Sequence, residues 1–253
     1  MTNSGRAMGL IGLLLLLVSG TSAADFSEEF REANSFFEQR DYESAIRLYE
    51  SIIADGAESA DVYYNLGNAY FKSGDLGHAV LNYLRARRLD PSDEDINHNL
   101  EFARQFSRVK MEGVKLNPVT AFVESIVDPY RLSTMAWISS IFFVLFCGVL
   151  TVRFGLGFRG PLIKTGVIIG LVLVVVLAGL TTYKYRTDYL TERVVIISEE
   201  SPILNGPTPN ADVEFQGAPG LVAEVLAKSG SYYSVLFENK RRGWIERDLV
   251  AEV

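Results

Sequence analysis

A single cysteine and two histidines are all that 253 residues offer of the commonest metal-binding and nucleophilic side chains. One thiol excludes an intramolecular disulfide in any redox compartment, and Cys147 lies inside a long apolar run. No metal-ligand spacing, glycine-rich phosphate loop or nucleophile–base arrangement accompanies His78 and His98, so the chain reads as a non-enzyme with no cofactor or metal. Basic charge is also short: 24 Lys and Arg against 31 Asp and Glu give a formal net charge of −7. That balance supplies no basic surface for nucleic acid. The cluster Lys240-Arg241-Arg242 reads as a solvated strand turn, with contact to anionic lipid as the alternative. The two longest apolar runs after the N-terminus, 135–152 and 166–183, contain no Asp, Glu, Lys, Arg or His, one of which a transporter or proton relay would need.

What is present is a repeat. With a shift of 34 residues, Phe30 falls on Tyr64, Asn34 on Asn68, Phe36 on Tyr70 and Phe37 on Phe71, then Ala45 on Ala79 and Tyr49 on Tyr83. Asn65-Leu66 recurs as Asn99-Leu100, so the period reaches a third unit. A helix–turn–helix unit with this period resembles the tetratricopeptide repeat. The second unit, 60–93, carries the pattern Tyr63, Leu66, Gly67, Tyr70, Gly74, Ala79, Tyr83, Ala86, Pro91. Gly67 and Ala79 are small where the two helices approach most closely. Gly74 suits a left-handed helix end, Asp75 a cap on the next helix, and Pro91 a stop. The first unit, 26–59, is degenerate, with Glu29 and Glu32 at usually apolar slots, while Ala33, Phe36, Ala45 and Tyr49 keep its inner face. A capping helix is expected at 94–109, closing a repeat domain at 25–110. Two units and a cap fall below the roughly three repeats that stand comfortably alone, so support from the membrane-proximal segment or another subunit is expected. His78, at the start of a repeat helix, is expected to be exposed.

Residues 1–24 read as an export signal: Arg6, an apolar core at Leu10–Val18, and small residues at Thr21-Ser22-Ala23-Ala24 for cleavage, with an uncleaved anchor as the alternative. No cysteine follows that core, against a lipoprotein anchor. The runs 135–152 and 166–183 are each long enough to span a bilayer as a helix. The loop between them, 153–165, holds Arg153, Arg159 and Lys164 without an acid and is expected in the cytoplasm. The soluble parts would then face the extracytoplasmic side of a bacterial inner membrane, the periplasm where there are two membranes. Gly166 and Gly170 offer a small-xxx-small face for close helix approach. The segment 111–134 reads as a juxtamembrane linker, or in part as an interfacial helix with Phe122, Ile126 and Tyr130 four apart and Pro129 ending it.

From 192 to 253 the pattern changes to short β-branched and aromatic runs at 194–197, 221–226, 232–237, 243–245 and 249–253. Glycine and asparagine turns separate them, as in a small barrel. Tyr233, Val235 and Phe237 alternate with Tyr232, Ser234 and Leu236, as a strand with one buried face requires. The order resembles a bacterial SH3-like domain: a Pro-containing early loop at Asn205–Pro209, an aromatic-x-x-Val strand at Tyr232–Val235 with Tyr in place of the usual Trp, and Gly243-Trp244-Ile245 near the end. Trp244 reads as a packing residue ahead of a ligand-stacking one.

The expected fold class is therefore a multidomain membrane protein: an all-α repeat domain, a two-helix transmembrane hairpin and a small all-β SH3-like barrel. Export signal, repeats, hairpin and terminal barrel in this order resemble the tetratricopeptide-repeat proteins of the Bat aerotolerance operon, of the BatE type. The resemblance implies an inner-membrane component of an assembly with von Willebrand factor A-type membrane proteins and a MoxR-type AAA+ ATPase. The chain itself reads as an adaptor whose partners are proteins, anchored in the lipid bilayer, with room for a homo-oligomer. The residues placed by the repeat on the concave, partner-binding face are Phe30, Asn34 and Phe37, then Tyr64, Asn65, Asn68 and Phe71, then His98 and Asn99. Amides can bond a peptide backbone as donor and acceptor, with aromatics for apolar contact. Lys and Arg are absent from these slots, so no clamp on a terminal carboxylate is expected. The alternative reading is an envelope sensor that binds cell-wall peptide or glycan through the SH3-like domain.

Overall fold

The computed structural model describes residues 26–106, 118–157 and 160–253. The export segment, the stretch 107–117 and Arg159 lie outside the described residues.

Five helices build the N-terminal part: α1 (Ser27–Glu38), α2 (Tyr42–Ala54), α3 (Ala60–Ser73), α4 (Leu76–Leu89) and α5 (Glu94–Gln105). They pair as two antiparallel units, α1 with α2 and α3 with α4, and α5 closes the second. Gly74 ends α3 at φ 94°, and its amide and that of Asp75 return to the carbonyls of Phe71 and Tyr70. The degenerate first unit makes the same turn without glycine. Arg40, 34 positions earlier, sits at φ 64°, and the amides of Arg40 and Asp41 return to Phe37 and Phe36. Asp41, Asp75 and Asp93 each cap the following helix through a side-chain oxygen, on the amides of Ser44, His78 and Ile96. Gly67 leaves no room for a Cβ, which would lie 2.8 Å from the Tyr83 ring and 3.3 Å from the Ala79 carbonyl. Ala33, Ala45, Tyr49, Ile52, Val62, Leu66 and Ala69 form the buried seam of the first unit and its junction with the second.

Two further helices, α7 (Leu132–Leu150) and α8 (Pro161–Tyr185), run on as π-turns to Gly155 and Leu190 and start several residues earlier than the hydropathy runs. With these extensions they span 24 and 30 residues and are long and apolar enough to cross a membrane. They pack on each other, with Ser139 Oγ 2.8 Å from Thr181 Oγ1 and Phe146 against the backbone of Gly170. The glycine face is thus a contact within the hairpin. Before them, the stretch read as a linker or in part as a helix contains α6 (Pro118–Val127). Phe122, Ile126 and Tyr130 are exposed there, while Val127 is buried.

The C-terminal part is one antiparallel sheet of seven strands in the order β3-β2-β6-β5-β4-β1-β7. The strands are β1 (Arg193–Ile196), β2 (Ser201–Leu204), β3 (Val213–Gly217), β4 (Val222–Ser229), β5 (Tyr232–Phe237), β6 (Arg242–Glu246) and β7 (Val250–Glu252). The sheet curls about a core to which β1, β2, β5 and β6 contribute, including Ile196, Ile203, Val235, Phe237 and Ile245. The small all-β module expected from the sequence is present as a sheet that hydrogen bonds do not close. The short strands β3 and β7 remain the two edges, so the hydrogen-bonded sheet is open.

The sheet does not stand apart. Val195 of β1 is part of the core formed by Val80, Leu84, Tyr83 and Leu100, and Val222, Ala251 and Val253 pack on the same cluster. Arg85 and Arg88 on α4 donate to the carbonyls of Glu252 and Val253 at 2.8 and 3.2 Å. Arg131, ahead of α7, pairs with Asp90 at the end of α4 at 2.9 Å. The support expected from the membrane-proximal segment or another subunit therefore comes mainly from the chain's own C-terminal sheet. This explains why α4 is buried on nearly all sides: Ala79, Tyr83 and Ala86 face α3, while Leu76, Val80 and Leu84 meet the sheet or α5.

Candidate functional site

The first helices of the units, α1, α3 and α5, carry all nine residues singled out from the repeat. Eight of them are half-buried and His98 is exposed. The aromatics are held by neighbours on the paired helices. Phe30 packs against Tyr49 at 6.0 Å between ring centroids, Phe37 against Tyr42 at 5.5 Å and Tyr64 against Tyr83 at 6.1 Å.

The four asparagines have an internal task that the sequence reading missed. Asn34 Oδ1 accepts from the Tyr49 hydroxyl and from Asn65 Nδ2, the latter at 3.0 Å. One repeat later, Asn68 Oδ1 accepts from the Tyr83 hydroxyl at 2.7 Å and from Asn99 Nδ2 at 2.9 Å. Asn99 Nδ2 also donates to the Tyr64 hydroxyl at 3.0 Å. The same three-residue bond set is thus built twice, each time tying the first helix of a unit to its partner helix and to the next unit. Burial pushes the Tyr49 hydroxyl pKa up to about 12 against the opposing effect of the nearby Asn65 amide, and burial raises Tyr83 as well. Both remain neutral donors near neutral pH. To the expected capacity of these asparagines to bond a peptide backbone the structure adds this internal task. Their Oδ1 atoms at 34 and 68 are committed to the fold, and only the remaining amide groups can reach outward. The signal was in the sequence: Asn34, Asn68 and Asn65, Asn99 recur in step with Tyr49 and Tyr83.

Sequence reasoning also missed two aromatics. Phe71 packs at 5.7 Å against Phe102 and 5.6 Å against Phe106, which lie 4.9 Å from each other. His98 stacks on Phe102 at 6.5 Å. The four-residue spacing 98, 102, 106 on one helix face would have found them.

His78 is not exposed as expected. Its ring lies half-buried on Tyr70 at 4.9 Å, and Nδ1 is 2.7 Å from Asp75 Oδ2. That bond raises the His78 pKa against the opposing effect of burial. Burial alone would raise Asp75, yet the bonds from His78 outweigh it and hold the carboxyl below its ordinary range. The pair belongs to the cap of α4, so its role is structural.

The arrangement presents a partly exposed face of aromatics and amides, backed by tyrosines that are already bonded. It suits recognition of a polypeptide surface. A comparison with curated proteins gives no match. Residues 30–94 match the tetratricopeptide repeat family, which covers both helical units and about a quarter of the chain. With the helical arrangement above, that match identifies a tetratricopeptide-repeat module at residues 30–94, a type of module suited to protein–protein contacts.

Proposed function

We propose that the protein is a membrane-anchored extracytoplasmic adaptor that holds protein partners in the groove of its repeats, within a Bat/MoxR-type aerotolerance or envelope-stress assembly. The carrying observation is the pair of repeat units with an aromatic and amide groove. The partner-binding residues are Phe30, Asn34, Phe37, Tyr64, Asn65, Asn68, Phe71, His98 and Asn99. Partners of the von Willebrand factor A type and a MoxR-type ATPase follow from the family resemblance alone. No catalytic role is assigned.

The docking of α4 on the C-terminal sheet supports the topology. Two bodies that share a core must lie on one side of a membrane, and the two apolar helices between them are an even number of crossings. The loop with Arg153 and Lys164 then faces the cytoplasm. The sheet is read as a bacterial SH3-like module: Asn205–Pro209 follow β2, Tyr232–Val235 lie in β5 and Gly243-Trp244-Ile245 in β6.

The test is photocrosslinking in intact cells, with the probe amino acid at Phe37 or Phe71 in the groove, or at Glu224 on the sheet. Reporter fusions near Gly157 and after Val253 accompany it. The reading predicts partner adducts from the groove positions, a cytoplasmic reporter at 157 and an extracytoplasmic one at 253. Adducts only from the sheet position would move binding to the SH3-like module and favour a cell-wall sensor instead.

A further inference from the structure

The repeat rule is broken at one end of the groove. A shift of 34 carries Asn34 to Asn68 but Asn68 to Phe102, and it carries Lys72 to Phe106. No described repeat unit follows α5, so an asparagine at 102 would have no next helix to bond. Phenylalanine there is nevertheless a departure from what a terminal helix needs, because ends of solenoids are ordinarily polar. The face of α5 away from the array obeys that rule: Asn97 and Glu101 are polar, and Arg104 reaches Glu238 at 3.5 Å. The aromatics lie instead on the groove side, continuous with Phe71. Phe102 is 44% exposed and Phe106 54% exposed.

Charge limits what can cover them. Residues 26–106 hold 16 Asp and Glu against eight Lys and Arg. Four of the eight are turned to other work: Arg85, Arg88 and Arg104 reach the sheet, and Arg87 lies near Asp128 and Asp188. Asp61 and Asp95 occupy the same slot of successive units, exposed in the first turns of α3 and α5. Asp95 and Phe102 are two helical turns apart on one helix, about 10 Å at ~1.5 Å per residue. Three residues of extended chain cover that distance at ~3.3 Å each.

We propose that the groove selects a cationic segment: an aromatic or large aliphatic residue seated on Phe71, Phe102 and Phe106, with Lys or Arg about three residues away facing Asp61 and Asp95. This rests on the reading of the groove as the partner site and names the chemistry of what enters it. The apolar residue covers the exposed rings, and a cation beside them gains from both the carboxylates and the ring faces. An acidic segment would meet repulsion along the whole array.

The test uses the full chain in lipid nanodiscs, panned against a random dodecapeptide library, with the same panning on Phe102→Ser/Phe106→Ser and on Asp61→Asn/Asp95→Asn. Both phenylalanines are exposed, so the first variant should keep its helical circular dichroism and thermal transition; the second removes charge without touching the core. Peptides selected by the native chain should combine Lys or Arg with an aromatic or large aliphatic residue two to four positions away. A synthetic peptide of that consensus should bind the phenylalanine variant at least about tenfold more weakly, a difference of ~1.4 kcal/mol. The aspartate variant should bind it several-fold more weakly and with less dependence on salt. Selection of acidic peptides, or of none, overturns the proposal, as does a consensus peptide indifferent to Phe102 and Phe106. If groove crosslinks to a partner persist in cells under that outcome, only the cationic chemistry fails; if they are absent too, the groove reading fails with it.

Discussion

Gly77 gives a test whose sign decides whether the sheet is docked on the repeats. It is the second residue of α4 and lies against the chain leaving β1. A Cβ at this position would lie 2.6 Å from Ile197 Cα and 2.9 and 3.0 Å from the carbonyl oxygens of Ile196 and Ile197. These are backbone atoms and cannot swing aside. In a helix facing solvent, Gly→Ala stabilises by roughly 0.5–1 kcal/mol. Against a docked sheet the methyl must push two backbones apart, and overpacking of this kind costs ~1–3 kcal/mol. Separation would also strain the bonds from Arg85 and Arg88 to the carbonyls of Glu252 and Val253. The net expectation for Gly77→Ala is a loss of about 1–2 kcal/mol, overpacking outweighing propensity. For a chain of this size that lowers a melting midpoint by roughly 2–8 °C. Circular dichroism melts of the full chain in detergent micelles read the change. Limited proteolysis would show faster cleavage between α8 and β1. A variant that melts higher than the native chain refutes the docked interface.

Three further outcomes follow from the repeat geometry. Arg40→Gly should stabilise by about 0.5–1 kcal/mol, because Arg40 holds the left-handed turn at φ 64° that the second unit gives to Gly74; a lower denaturation midpoint would contradict the shared turn. Asn34→Ala and Asn68→Ala should each cost about 1–3 kcal/mol, since each strands a tyrosine hydroxyl and Asn34→Ala also strands the Asn65 amide, whereas Asn99 keeps its bond to Tyr64. Chemical denaturation that finds either change neutral would remove the ladder as a structural element. His78 has its pKa raised by Asp75, so its stabilising contribution is complete below the unfolded value of about 6.5 and is lost as pH rises through the folded value. Melts across that window should lose stability toward alkaline pH, and His78→Gln should flatten this component; an unchanged slope would exclude the pair as its source.

The helical part was legible because its determinants are local and repeated. Gly74 and Asp75 fix the turn of the second unit, and the small residues Gly67 and Ala79 fix the closest approach of its helices. The strands at 193–196, 222–229, 232–237, 242–246 and 250–252 follow the β-branched and aromatic runs. The hairpin of β2 and β3 was hidden because Ser201-Pro202-Ile203-Leu204 carries a proline, and Val213–Gly217 lies at an edge with little buried surface. The asparagine ladder was visible as a recurrence, but its internal bonds were not. An asparagine in a repeat slot can bond a ligand or the next helix, and only the positions of Tyr49 and Tyr83 decide between them. The docking of the sheet on α4 was not legible at all. It joins residues more than a hundred positions apart, and Val195, Val222 and Ala251 look like ordinary strand residues until α4 is placed beside them.

That docking also answers how so short an array can stand. A solenoid gains its stability from neighbouring units, and two units leave one helix with its outer side bare. Here that helix is α4: α5 packs where the next unit would begin, and the sheet covers the side that remains. The cover is specific: Gly77 and Gly220 are points of close approach, the second with its Cβ site 3.1 Å from Val80 Cγ2. The same helix carries Tyr83 into the asparagine ladder on its other side. α4 thus stands between the helices that carry the candidate partner-binding residues and the sheet, and the sheet is in turn joined through β1 to the end of α8. Under the proposed function, a segment bound against α3 would press on a helix backed by α4 and the sheet, which favours a preformed binding face over one assembled as the partner arrives.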